Sequence, residues 1–253
     1  MSQIVPVTFK NHGQKRLLTP ATYLFAEKEG LAPLAAAEFA AIASRFPVVF
    51  LNHGGKMAAF ALLGLEKGEN LFVGKDGRWL SDYIPAFLRR YPFVFGKKRE
   101  DSEDLLLCID EESGLLTESD GDPLFTETGE KAPALEKAVA LMSGYHQSAG
   151  IAEKFSSALQ EKELLAPLHV KVQVGENAGV NLGGLLQVDE SRLDKLADGD
   201  FLELRSKGYL PLVYLHLFSL TRIQDLLARK KARAKIAPKS WKSEEQLGDL
   251  FRF

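Results

Sequence analysis

Apolar residues recur along this chain with two different periods, and the places where the period changes mark its elements. In Leu31–Arg45, LAPLAAAEFAAIASR, the residues Leu34, Phe39 and Ile42 fall near one face at helical spacing, which predicts an alanine-rich helix stopped by Pro47. Val48–Leu51 and Met57–Leu65 read as apolar strands joined by Asn52-His53-Gly54-Gly55, whose glycines suit a tight hairpin turn. A second hairpin is signalled over Asn70–Trp79, where Gly74 and Asp76-Gly77 separate Leu71-Phe72-Val73 from Arg78-Trp79-Leu80. Ser81 or Asp82 can then cap a helix that carries Pro85 in its first turn and ends before Pro92. At about 100° per residue, Tyr83, Ile84, Phe87, Leu88 and Tyr91 form its apolar stripe. Arg89 points to solvent in that arrangement, and Arg90 lies on the flank, where its side chain reaches over the edge of the core.

Leu105–Ile109 reads as a buried strand, followed by an acidic, turn-rich passage with Ser113-Gly114 and Asp120-Gly121-Asp122-Pro123. The last of these lacks the alternating oxygen ligands and distal glutamate of a calcium loop and is read as a turn. Pro133–His146 and Ile151–Leu165 are predicted as two helices divided by Gly150, the first with Leu135, Val139 and Met142 on one stripe. His169–Val174 and Val180–Val188 follow as strands, Asp189 caps a short helix, and Gly199 and Gly208 mark stops. The last long helix, Tyr209–Arg233, is apolar on nearly all sides at first and is therefore expected in the core. This order predicts an α+β fold with a meandering, mostly antiparallel sheet and packed helices. A strand pair plus capped helix occurs at 48–95 and again at 169–220, a hint of two similar strand-strand-helix halves. Residues 1–228 are expected to form a single domain and 229–253 a basic, then amphipathic tail, with Trp241, Leu247, Leu250, Phe251 and Phe253 seated on the body or on a partner.

Composition narrows the class. A chain of 253 residues and 28.0 kDa can hold one large core or two modest lobes. Cys108 is its sole cysteine, so an internal disulfide is ruled out, and inside LLLCID it reads as a small buried residue. The first residues, MSQIVPVTFKNHGQKR, lack the uninterrupted apolar core of a secretion signal, and no apolar run approaches the roughly 18 residues of a membrane span. The expectation is a cytoplasmic protein without a membrane span.

Charge is sorted along the chain. Twelve acidic residues and no Lys or Arg lie between Glu100 and Glu130, whereas Arg89–Arg99 holds five basic residues and Arg229–Lys242 holds seven. Such segments either neutralise one another as solvated faces or serve as docking surfaces for a protein or peptide partner. Nucleic acid fits poorly, because the basic tail carries a single aromatic, Trp241, and offers no ladder of stacking platforms.

The chain has no nucleophile elbow, no zinc-binding histidine pair on a helix, no phosphate loop and no dinucleotide fingerprint. Its five histidines show no ligand spacing, and His216, in an apolar helix, reads as a satisfied core residue. No cofactor or metal is expected. The residues point to binding of a protein or peptide without turnover. The alternative is a small-molecule binder or enzyme whose anionic ligand meets the planar fork of Arg90, with Trp79, Tyr83 and Tyr91 as an aromatic wall and His53 in the hairpin turn as a further candidate.

Four stretches taken together carry a resemblance: Gly64–Phe93 (GLEKGENLFVGKDGRWLSDYIPAFLRRYPF), Gly121–Phe125, Gly184–Glu190 and Gly208–Leu226 (GYLPLVYLHLFSLTRIQDL). In this order they resemble the bacterial SapC family of about 250-residue proteins, over nearly the whole chain from Pro6 to Leu227. The resemblance implies a link to surface-layer and serum-resistance loci. It also brings a peptide-permease label used for some members, which the lack of a spanning segment contradicts here. It implies no catalytic residues.

Overall fold

Gly54 and Gly55 both take positive φ, 60° and 82°, the pair of left-handed conformations that a two-residue hairpin turn needs. The hairpin that they close is the longest in the computed structural model, which describes residues 3–97, 105–168 and 183–236. Along the chain come β1 (Ile4–Pro6), α1 (Phe9–His12), β2 (Arg16–Leu17), β3 (Leu31–Pro33), α2 (Phe39–Ala43), β4 (Val48–His53), β5 (Lys56–Leu62), α3 (Ala86–Arg89) and β6 (Phe93–Lys97). After these follow β7 (Leu105–Asp110), β8 (Leu116–Thr117), β9 (Asp122–Pro123), α4 (Pro133–Glu161), β10 (Leu165–Pro167), β11 (Leu186–Val188), α5 (Glu190–Asp194), α6 (Asp198–Ser206), α7 (Leu210–Ser219) and α8 (Ile223–Ile236). Every described strand pair is antiparallel, and the fold is α+β. The chain divides into two compact units, Met1–Thr22 with Ala86–Gln147, and Tyr23–Pro85 with Ser148–Phe253.

The first unit holds two three-stranded sheets, in the orders β1-β7-β6 and β8-β2-β9. Its core is small: Phe93, Ile109 and Leu124 pack against Leu135, Ala138 and Met142, which share one face of α4 at helical spacing. Gly121, at φ 95°, lets β9 reach β2, since a Cβ there would lie 2.4 Å from the Leu17 carbonyl oxygen. Cys108 is buried as expected.

The second unit holds the five-stranded sheet β10-β11-β4-β5-β3. Phe39, Phe46, Phe50 and Phe155 are fully buried, with Phe155 edge-on to both Phe39 and Phe50. His216 is equally buried and satisfied on both nitrogens, one meeting the Val48 carbonyl at 3.0 Å and the other accepting the Val188 N–H at 3.0 Å. That geometry sets the tautomer: Nδ1 carries the hydrogen. Burial pushes its pKa down to about 3, against the opposing pull of the Val48 carbonyl, so the ring is a neutral tie between β4, β11 and α7.

Several elements differ from their sequence reading. Leu31–Arg45 is not one helix: Leu31–Pro33 pairs with Phe60–Leu62 as an edge strand, and only Phe39–Ala43 is α-helical. Pro33 and its steric effect on Ala32 hold the segment extended, and sheet pairing then outweighs alanine's helix propensity. The second hairpin shrinks to a single bridge, Val73 to Trp79. The helix expected from Ser81 is only Ala86–Arg89, because Asp82 grips Arg45 through both carboxylate oxygens (2.6 and 2.7 Å) and the Tyr83 carbonyl accepts the Trp79 indole N–H. Gly150 does not divide two helices; α4 runs through it, since a helical glycine costs only about 1 kcal/mol. Gly199 sits inside the first turn of α6. The last helix is broken by a 3-10 turn at Leu220–Arg222, and α7 is not wholly interior, with Tyr214 and Phe218 each 53% exposed. Asp189 does cap α5, accepting from Ser191 and Arg192, and Gly208 ends α6 at φ 71°. The strand His169–Val174, the first three residues of Val180–Val188 and the apolar tail from Trp241 lie outside the described residues, so the second of the two suggested halves is described only from residue 183, with Leu186–Val188 a strand.

Candidate functional site

The five residues singled out in the sequence fall in both units: Arg90 and Tyr91 in the first, His53, Trp79 and Tyr83 in the second. Arg90 follows the short α3 and turns its guanidinium onto the Phe87 ring, 4.5 Å from the centroid, with Tyr145 at 5.8 Å. Its Nε–H donates to the Phe87 carbonyl at 3.2 Å, and it forms no ion pair among the described residues. Burial lowers its pKa, with the Tyr145 hydroxyl pulling the other way. Arg89 is exposed, as the helical geometry implied. Burial, and then Asp110, raise the pKa of the neighbouring Tyr91.

In the second unit Trp79 is half-buried and gives its indole N–H to the Tyr83 carbonyl, while its ring lies near Tyr23, Phe46 and Phe72 at 5.8, 6.3 and 5.9 Å. The Tyr83 hydroxyl donates to the buried Glu38, whose other carboxylate oxygen accepts the Ala35 N–H. His53 stands exposed at the hairpin tip, edge-on to Phe60. These contacts tie Trp79 and Tyr83 into the packing of their own unit.

The start of the basic run has structural partners as well. Lys230 reaches Glu66 and Glu69 at 2.8 and 2.7 Å, Arg233 donates to the Asn70 and Val73 carbonyls, and Arg229 lies over Phe72 while donating to the Leu80 carbonyl. Three cations of α8 thus fasten the loop between β5 and Trp79.

An open, largely apolar groove lies in the first unit and was not visible as a motif. Of about 630 Å³, it runs between the sheet and α4, walled by Val7, Phe9, Phe95, Leu105–Leu107, Phe125, Leu135 and Val139, with Lys131, Ser143 and His146 at its rim. Its floor includes the start of β7, which extends past β1. Val7 donates to the Leu107 carbonyl at 2.9 Å, after which the chain turns away into α1, whose first turn Thr8 caps. Alternation along an antiparallel ladder points the backbone N–H and C=O of Leu105 to that same side, where no further strand lies among the described residues. A second hollow, of about 850 Å³, adjoins it at the edge-to-face pair Phe9 and Phe125, and is lined by Lys10, Asn11, Gln14, Lys15 and Arg16 with Glu118 and Glu127. Sequence reading missed these residues because they come from separate stretches, each resembling ordinary core. The one available signal was the polar pair Ser143 and His146 on the otherwise apolar face of α4.

Among the described residues no helix is long and apolar enough to cross a membrane. No curated protein and no solved structure matches the chain. The family model for SapC matches residues 7–226, which covers most of both units, the groove and all five residues above. The chain belongs to the SapC family.

Proposed function

We propose that this SapC-family chain is a cytoplasmic accessory protein that holds an extended segment of a partner protein in the groove of its first unit, without turnover. The observation that supports this is the aliphatic groove beside the end of β7, where the strand runs past β1 and no further strand lies beside Leu105 among the described residues. An unpaired strand edge offers main-chain hydrogen bonds, and flanking apolar hollows accept alternate side chains, which is the physics of strand addition. A protein segment suits these walls better than a nucleic acid, whose phosphates would meet Lys131 as the groove's only lysine or arginine. Panning a displayed random dodecapeptide library against the wild-type chain and a Ser143→Trp variant tests it. Ser143 is exposed on α4, so the indole should fill the groove and leave the melting temperature unchanged. Selective enrichment on the wild type supports the reading; equal recovery on both proteins rejects it.

A second reading is favoured by Arg90, a half-buried cation held by two aromatic rings with no carboxylate paired to it among the described residues. Its outer edge would receive an anionic small ligand in bidentate fashion, beside Tyr91. Citrate or a phosphomonoester should then raise the melting temperature of the wild type and not of Arg90→Ala. Equal shifts in the two proteins would rule the site out.

A further inference from the structure

Resting on the peptide reading, we propose that the groove and the adjoining polar hollow form one track, and that the segment it takes is apolar at alternate positions and then acidic. The two hollows share Phe9 and Phe125, whose rings meet edge to face at 5.6 Å, and Phe9 is 48% exposed, so a bound chain can cross this low ridge. On one side the walls are aliphatic and aromatic; on the other they carry three cations against two carboxylates. Glu118 is already paired with Lys15 at 2.7 Å, whereas Lys10 and Arg16 form no ion pair among the described residues. The Nε–H of Arg16 is held by the Gly121 carbonyl at 2.8 Å, which orients its terminal amino groups without neutralising them. Glu127 is the one acid of this hollow facing the incoming charge, so the complementarity is modest and the expected effect is modest too.

A lipid with an anionic head shares this layout of an apolar stretch and a cationic end. The N–H and C=O of Leu105, with no strand beside them among the described residues, favour a peptide, because only a polypeptide has N–H and C=O groups at the spacing of a strand. An acyl chain would leave those groups unsatisfied.

The test uses the full chain and the dodecapeptides enriched on it. Selected sequences should alternate apolar residues and then carry Asp or Glu. Synthetic versions with those acids changed to Gln should bind the wild type about fivefold more weakly, the size of an exposed ion pair of about 1 kcal/mol. The same change should have no effect on the double variant Lys10→Gln/Arg16→Gln, which removes both cations unpaired among the described residues and whose melting temperature checks that the fold is kept. Apolar sequences without an acid preference, or an equal Gln effect in both proteins, would overturn the track while leaving the peptide reading in place. No enrichment over Ser143→Trp would remove both, and saturable binding of a fluorescent fatty acid in that case would assign the groove to a lipid tail.

Discussion

The two units solve the same problem of hiding apolar surface in opposite ways. In the second, the sheet is sealed by four buried phenylalanines and a neutral histidine bonded through both ring nitrogens, and α8 is clamped over the loop. In the first, a cluster of six buried side chains forms the centre of the core while Val7, Phe95, Leu107 and Phe125 remain half-covered around an open groove. Half-covered apolar walls forgo stabilisation of about 25 cal/mol for each Å² left wet, which a bound segment would recover. The difference teaches that the filled unit is built for stability, whereas the unfilled one leaves apolar surface open to water.

The sharpest way to break this contrast is through His216. His216→Leu should cost about 3 kcal/mol or more in chemical denaturation, because the Val48 carbonyl and Val188 N–H lose their partners inside the core. A cost below about 1 kcal/mol would show that the tie is dispensable. The same residue sets a pH dependence. Its folded pKa, about 3, lies below the ordinary 6.5, so between these values the unfolded chain binds the proton that the folded chain refuses. The contribution is present above pH 6.5 and is lost as pH falls toward 3; in His216→Leu that part of the slope should disappear.

Trp79→Ala comes next, at about 3 kcal/mol, since it empties a ring site bordered by Phe46 and Phe72 in the filled unit. A loss under about 1 kcal/mol would mean that the ring packs loosely, and would free it for a ligand-binding role. Gly150→Ala should act in the other direction. A Cβ there meets nothing within 4 Å, so the gain is about 0.5–1 kcal/mol from the lower entropy of the unfolded chain. No gain would place a bend at this point of α4. The smallest effect on stability belongs to the groove: Ser143→Trp should move the melting temperature by no more than a surface substitution does, within about 0.5 kcal/mol. A strongly destabilised variant would show the groove to be tighter than a binding surface requires.

Particular residues show how far a sequence carries. The β4–β5 hairpin, the strand at Leu105, the cap at Asp189 and the stop at Gly208 were legible because each rests on local chemistry: a positive φ, a period of two, an oxygen facing free N–H groups. Exposure of Arg89 beside a half-buried Arg90 was legible too, since even a short helical turn separates neighbours by angle. Leu31–Pro33 was misread because its partner, Phe60–Leu62, lies far along the chain, and pairing with it outweighs a weak local preference. Helix α3 was overestimated for a similar reason, as Asp82 is taken by Arg45 from another element.

The sequence by itself determined the α+β class, the SapC family and the local turns, because hydrophobic period, turn residues and word order are one-dimensional facts. Only the tertiary structure decided where apolar surface stays open. Thr8, Leu105, Phe125 and Ser143 become neighbours of one groove through long-range pairing and packing, and no period within any one of their segments encodes a space enclosed by all of them.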